Sequence, residues 1–411
     1  MPFLNARLGA VYINFQQKEL SDEYLRKAFE RREHLSAREK LYVQGHYYVD
    51  STGEEDKAIE TYELWTKIYP HDWIPFNNLS NERVRTGNID QAVAAGQEAL
   101  RLNPNHGYPY GVLVQAYLYA TRFAEAKAVY EKAVALKLDS WAEHDRLYEI
   151  ALIEGDQDAL RREREWGKGK PLEGWNMNND AVHALSLGRV RDADKIYEQA
   201  RANSLQHDLK ERAWGMVQEQ SQYEGDLGYE RKARMLADTA FATMPANHKA
   251  DAALALACAG DVRCAETLAN EASREKPLDL LMNNVTLALV RATVKMKQGD
   301  AAGAIAALQP SAPHDFGSYA AGMTMYYRGY AYLQARSGKE AAIEFQKLLD
   351  HRGAGPFYWP LAHLGLARAY ALTGDKDKSL AGYREFLELW KDADPDVPIY
   401  KAAKAEYAKL Q

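Results

Sequence analysis

The chain has 411 residues, 46% of them hydrophobic and 27% charged, with a formal net charge of −6. That balance suits a protein with a sizeable core and provides no electrostatic footprint for nucleic acid or an anionic membrane. No run approaches the roughly 18 apolar residues of a membrane span, and the first dozen residues lack the basic start and apolar stretch of a signal peptide. Cys258 and Cys264 are the sole cysteines, too few for a disulfide framework.

Small and aromatic residues recur along the whole chain at one spacing. Near the start, Leu8-Gly9 and Tyr12 open a helical pair that Leu25 and Ala28 complete. Gly45, Tyr48, Ala58, Tyr62, Trp65 and Pro70 form a second copy, with about one residue inserted around Asp50–Asp56. The third and fourth copies are the clearest. Phe76, Leu79, Ser80, Gly87, Ala92, Ala99 and Pro104 are followed in register by Tyr110, Leu113, Tyr117, Ala126, Tyr130, Ala133 and Leu138. Ala92 and Ala126 are 34 positions apart, as are Ala99 and Ala133. Within the fourth copy Tyr110, Leu113, Tyr117 and Leu118 mark one apolar helix face, and Ala126, Val129, Tyr130 and Ala133 mark a second after a break at Thr121-Arg122.

The pattern then weakens. A fifth copy is traced by Leu147, Ala151, Gly155 and Ala159, and it runs into the loop Trp166–Trp175. Ala181, Gly188, Ala193, Tyr197 and Ala200 trace a sixth. Trp214, Gly225, Ala233 and Ala240 trace a seventh, with a short insertion at Leu227–Tyr229. Gly260, Ala265, Ala272 and Pro277 belong to the eighth, and Gly299, Ala304 and Leu308 to the ninth. The tenth (Arg328-Gly329, Tyr332, Ala341, Phe345) and eleventh (Ala367, Tyr370, Gly374, Tyr383, Phe386) are sharper. A prolyl segment at Asp394–Pro398 precedes a last helix in which Ile399, Ala403, Tyr407 and Leu410 form the apolar stripe and Lys401, Lys404 and Lys409 stay outside.

A 34-residue period with small residues at fixed places resembles the tetratricopeptide repeat. Alanine at the contact positions lets two helices approach closely, since a larger side chain would overpack them. One hairpin is too small to bury its own apolar face and must stack on a neighbour. The expected fold is therefore all-α: a right-handed superhelical solenoid of about eleven helix-turn-helix hairpins plus a C-terminal capping helix. The expected organisation is an N-terminal array at 1–165, a connecting loop at 166–176, a more degenerate array at 177–394 and the cap at 395–411.

Residues 344–353, 361–375 and 386–411 also resemble the extreme C-terminus of bacterial eukaryotic-like serine/threonine protein kinases with long repeat tails, and 36–48 and 58–72 resemble an earlier part of that tail. The resemblance implies the sensory or partner-binding repeat region of a signalling protein whose kinase domain and membrane segment are not in this chain. The same tail resembles that of some winged-helix transcription regulators, and a free-standing adaptor beginning at Met1 is the other reading. The compartment follows from that choice: cytoplasmic if the chain is complete, otherwise part of a membrane-anchored protein.

Motifs for chemistry are isolated. Asp315-Phe316-Gly317 spells the magnesium-binding tripeptide of kinases, but no catalytic loop, phosphate-covering glycine loop or strand lysine accompanies it. Gly167-Lys168-Gly169-Lys170 is basic and glycine-rich, yet Pro171 stands where a phosphate loop needs Ser or Thr. The histidines are scattered, with no zinc spacing, and there is no GxSxG elbow. Cys258 and Cys264 read as small core residues rather than a pair. No catalytic residue, cofactor or metal is expected, and an enzyme with its site in the degenerate middle, 141–230, is the least favoured reading.

By the resemblance, the first helices of the repeats line a concave groove. Their positions not needed for packing are Tyr42, His46, Asn77, Asn81, Tyr108, Gln115, Asp145, Glu149 and Asn178. Amides and aromatics at regular spacing suit an extended peptide. The expected function is a non-catalytic protein-interaction scaffold whose partner is a protein or peptide, not nucleic acid.

Overall fold

A computed structural model describes residues 2–170, 173–245 and 247–411. Among them there is no strand, and the helices pair in chain order into eleven antiparallel hairpins followed by a single last helix. The first four hairpins are α1 (Pro2–Asn14) with α2 (Lys18–Glu30), α3 (Ala37–His46) with α4 (Glu55–Ile68), α5 (Trp73–Thr86) with α6 (Ile89–Leu102), and α7 (Gly107–Tyr119) with α8 (Phe123–Ala135). The next four are α9 (Trp141–Glu154) with α10 (Gln157–Gly167), α11 (Glu173–Ser186) with α12 (Val190–Gln206), α13 (Lys210–Asp226) with α14 (Glu230–Ala242), and α15 (Lys249–Cys258) with α16 (Val262–Glu275). Then come α17 (Leu287–Lys297) with α18 (Ala301–Ala307), α19 (Met323–Gln334) with α20 (Gly338–Asp350), α21 (Tyr358–Thr373) with α22 (Lys376–Leu389), and the terminal α23 (Pro398–Leu410).

The repeated alanines sit where the helices touch. Ala58, Ala92, Ala99, Ala126, Ala133, Ala193, Ala200, Ala233, Ala240 and Ala341 are all fully buried. Hydroxyls lock some pairs: Ser80 Oγ donates to the Ala92 carbonyl at 2.9 Å, and Ser221 Oγ to that of Ala233 at 2.8 Å. Helix starts are chosen by side chains that satisfy free backbone N–H groups. Ser36 and Glu39 form a reciprocal capping box on α3, and Asp72 accepts from the Ile74 amide at the start of α5. Asp72 also receives Trp65 Nε1 at 3.0 Å and Arg38 Nε at 2.6 Å, which ties the second repeat to the third.

Several expectations are corrected. The residue inserted near Asp50 is absorbed as a π-helical turn, Tyr47–Thr52, that extends α3. The extra residues expected at Leu227–Tyr229 instead lengthen α12 and α13 to 17 residues each. The connector between the two arrays is shorter than 166–176, because Trp166 and Gly167 finish α10 and Glu173 already begins α11; Pro171 and Leu172 lie outside the described residues. Just before it, the Trp166 ring of α10 stacks 3.6 Å from His144 of α9 within the fifth hairpin. Tyr12, Tyr332 and Tyr370, which mark the first helices of their copies, are half-buried.

The superhelix is wound tightly enough for successive turns to touch. The turn after α3 meets the linker after α16: the Leu280 amide donates to the Gly53 carbonyl at 2.9 Å. The turn after α5 meets the linker after α18, where the Ser318 amide donates to the Val84 carbonyl at 2.9 Å. Beyond α7, the Gly353 amide reaches Thr121 Oγ1 at 3.4 Å. Here glycine is required, since a Cβ on Gly353 would lie 1.9 Å from the Leu118 carbonyl oxygen. Farther along, Trp390 Nε1 donates to the Ser186 carbonyl at 2.9 Å and the Ile399 amide to that of Leu227 at 3.3 Å. The last helix therefore seals the array against its own middle as well as covering α22.

Asp315-Phe316-Gly317 belongs to one of these contacts. Asp315 is buried, accepts from Thr324 Oγ1 at 2.7 Å and pairs with Arg328, which also reaches Glu344 at 2.9 Å. A Cβ on Gly317 would come within 2.3 Å of the Arg85 carbonyl oxygen. The tripeptide holds two superhelical turns together.

Candidate functional site

Closure of the turns converts the inner surface into a lumen of about 830 Å³. Its wall is built from the first helices of the repeats, and positions one repeat apart fall into rows. Asn81, Gln115, Glu149 and His183 follow at intervals of 34, and so do Arg85, Tyr119 and Ile153. Gln115, Glu149 and His183 line the lumen, as do Arg85, Tyr119 and Ile153. Asn81 begins its row outside, exposed to solvent.

The nine expected residues therefore divide into two groups. Gln115, Glu149 and Asn178 are on the lumen wall, and Asp145 is buried just behind it. Tyr42, His46, Asn77, Asn81 and Tyr108 lie on the first four repeats and do not line the lumen. Of these, Asn81 and Tyr108 are exposed to solvent. Tyr108 is 57% exposed; its ring stacks 5.1 Å from that of His106, which in turn lies 4.8 Å from Trp73. Tyr42 packs 4.5 Å from His46 and 5.3 Å from Phe3, and the Tyr108 phenol is near enough to act on its ionisation. Burial pushes the Tyr42 phenol up to about 12. His46 Nδ1 is 3.2 Å from Asp50, and Asn77 keeps a buried Oδ1 without a partner.

Inside, charges alternate around the wall. Arg85 lies 3.4 Å from Glu55 and 3.8 Å from Glu82, while Arg146 lies 2.7 Å from Glu149 and 3.3 Å from Asp145. Asn178 Nδ2 and Tyr197 Oη donate to Glu219 Oε1 at 3.2 and 3.0 Å. Burial disfavours carboxylate charge here, raising Glu55 to about 8 and Glu82, Asp145 and Glu219 to about 7. The same cause lowers His183 to about 4. Glu211 accepts from the backbone amides of Lys18 (2.9 Å) and Glu19 (3.2 Å), capping α2 from the seventh repeat, and also meets His248 Nε2 at 3.2 Å. Burial opposes charge on His248, yet its bonds to Asp251 and Glu211 outweigh it and raise the pKa.

The sequence reading missed Arg85, Arg146, Trp175, Arg212, Glu219 and His248. A row extended by 34 from Gln115 and Glu149 reaches His183 from sequence alone, and the same step from Asn178 reaches Arg212, but Glu219 stands 36 positions after His183 and falls out of that register. Among the described residues, no group of three or more His, Cys, Asp or Glu is placed to hold a metal ion. No described helix is long and apolar enough to cross a membrane. Both cysteines are free, with Cys258 Sγ buried 3.2 Å from Tyr327 Oη.

Helical hairpins stacked in chain order around a lumen define an all-helical repeat solenoid. Models of the tetratricopeptide repeat match residues 4–34, 109–140 and 289–358, so the chain carries tetratricopeptide repeats. Among solved structures, it is similar to the Cut9–Hcn1 hetero-tetramer of the APC/C, with 15% identity over 93% of this chain and 84% of that one and a TM-score of 0.44. It is also similar to yeast Tom70, with 13% identity over 91% and 95% and a TM-score of 0.36.

Proposed function

We propose that the protein is a non-catalytic interaction scaffold that receives a protein or peptide at the mouth of its superhelix. The observation that carries this is the aromatic ladder Trp73–His106–Tyr108, open to solvent beside Tyr42, Asn77 and Asn81. Exposed aromatics next to side-chain amides are the composition of an interface anchor with adaptable polar contacts. Gln115, Glu149 and Asn178 continue the same surface inward, where an extended segment would find side-chain amides for its backbone. A solvated lumen of mixed sign does not suit nucleic acid.

The non-catalytic reading is supported by how the raised carboxylates are engaged. Asp145 is held by Arg146 and Asn179, and Glu219 by Asn178 and Tyr197, so neither faces a nucleophile. The resemblance of 344–353, 361–375 and 386–411 to kinase tails supports reading the scaffold as part of a signalling protein; a free-standing adaptor or the tail of a winged-helix regulator is the second reading, and the upstream reading frame decides between them. The binding proposal is tested by isolating a partner by affinity capture and titrating it against Tyr108→Ala and the double change Asn77→Ala with Asn81→Ala. Loss of Tyr108 should weaken binding by about 30-fold or more, the effect of an aromatic hot spot. Affinity unchanged by both variants would overturn the mouth as the docking surface.

A further inference from the structure

Among the described residues, the lumen wall carries one arginine whose guanidinium is both buried and without an ion pair or hydrogen bond. Arg212, in the first turn of α13, is 3% exposed, and its Nε and both terminal nitrogens are buried without a hydrogen-bond partner. The guanidinium lies 4.5 Å from the centroid of the Trp175 ring. Trp175 Nε1, a donor only, is also buried without a partner. Both residues line the lumen, so two unused donors meet at one point of its wall.

The acids nearby are committed elsewhere. Asp145 is held by Arg146 at 3.3 Å and by Asn179 Nδ2 at 3.3 Å, and Glu149 by Arg146 at 2.7 Å. Glu219 takes Asn178 and Tyr197, and Glu211 takes the amides of α2 and His248. Burial lowers the Arg212 pKa to about 10, and Asp145 is the only charge that offsets it. A buried charge without a counterpart is strongly disfavoured. The other described lumen arginine on a tryptophan, Arg352 at 4.1 Å from Trp359, is half-exposed, whereas Arg212 is buried.

We infer that Arg212 and Trp175 form a site in the lumen for the carboxylate of a small organic acid. The flat guanidinium fork matches a carboxylate through two parallel bonds, and the indole N–H supplies a third donor. The same wall carries Trp214, Tyr223 and Phe357, which suit a flat apolar body. Asn178 Oδ1, also on this wall and buried without a partner, is an acceptor for a ligand N–H such as that of an indole. A doubly charged phosphate is disfavoured, because Asp145, Glu149 and Glu219 stand around the site. The lumen volume lies within the range of small-molecule sites, about 300–1,000 Å³. Arg212 and Trp175 lie outside the aromatic mouth on the first four repeats, although the lumen wall they share with Asn178 is continuous with it.

The test is calorimetric titration of the full chain with acetate, phenylacetate and indole-3-acetate, with phenylacetamide and inorganic phosphate as comparators. Phenylacetate or indole-3-acetate should bind saturably, and phenylacetamide at least tenfold more weakly. Arg212→Met should weaken the carboxylate about 10- to 150-fold, the loss of bonds to a charged group, and Trp175→Phe about two- to tenfold, the loss of one neutral donor. Circular dichroism confirms that each variant is folded. Should Arg212→Met not fold, Trp175→Phe and the acid–amide comparison still decide. Absence of saturable binding by all three acids, equal affinity for acid and amide, tighter binding of phosphate, or affinity untouched by Arg212→Met in folded protein would each overturn the site.

Discussion

His314 Nδ1 lies 3.0 Å from the carbonyl oxygen of Thr86, 228 positions earlier in the chain. A carbonyl can only accept, so the proton of this buried imidazole sits on Nδ1. The bond joins the turn after α5 to the linker before α19 and is one of the stitches that close the superhelix on itself. His314→Ala should leave the Thr86 carbonyl unsatisfied and cost about 1–3 kcal/mol. Exposed His34→Ala should change stability by less than about 0.5 kcal/mol. Native-state hydrogen exchange gives the local readout: the Ser318 amide should lose protection in His314→Ala, and retained protection would mean that the turns are held without this bond.

Ala126 is fully buried between helices, whereas its neighbour Lys127 faces solvent and pairs with Glu154. Ala126→Leu should destabilise by about 1–3 kcal/mol through overpacking. Lys127→Ala loses only an exposed ion pair, about 0–1 kcal/mol. Urea unfolding of the two variants compares them directly, and equal effects would contradict the register.

Asp315 lies in a buried network with Arg328, Thr324 and Glu344. Asp315→Ala removes one partner of a buried ion pair and should cost about 3–5 kcal/mol. The expected result is a lowered unfolding midpoint with no change in nucleotide affinity, because phosphoryl transfer needs a metal, a phosphate cradle and a positioned base together. Saturable magnesium-dependent ATP binding that Asp315→Ala abolishes would reverse this reading.

The lumen carboxylates set a pH dependence. Glu55 is raised to about 8, and Glu82, Asp145 and Glu219 to about 7. The folded protein therefore binds more protons than the unfolded chain above the ordinary carboxylate range, and stability falls as pH rises through these values. His183, lowered to about 4, acts in the opposite sense, but only up to the ordinary histidine value near about 6.5. Between about pH 6.5 and 8 the carboxylates act without that opposition, and the raised pKa of His248 adds to their effect. The melting temperature should fall across this window, and Glu55→Gln should flatten the fall. A rise in stability from about pH 6.5 to 8 would contradict the buried, proton-holding state of these acids.

Much of the architecture is written locally. A 34-residue period and alanines at contact positions determine each hairpin, because helix pairing within a repeat depends on residues a few turns apart. The row through Asn81, Gln115 and Glu149 is legible in the same way, and it continues to His183. What the row meets is another matter. Asn81 is in solvent while Gln115 and Glu149 face a lumen, and the difference arises from the chain returning over itself some 200 residues later.

That return was decided by tertiary structure alone. The rotation from one repeat to the next is small, and it sums over about six repeats before Gly53 meets Leu280 or Thr86 meets His314. Local spacing carries no record of such a sum. Arg212 and Trp175, unremarkable in the sequence, meet on the lumen wall with the guanidinium 4.5 Å from the indole centroid. The amino-acid sequence by itself determined the repeats and their cores; the accumulated twist decided which of their polar residues were enclosed, and left one arginine there without a partner.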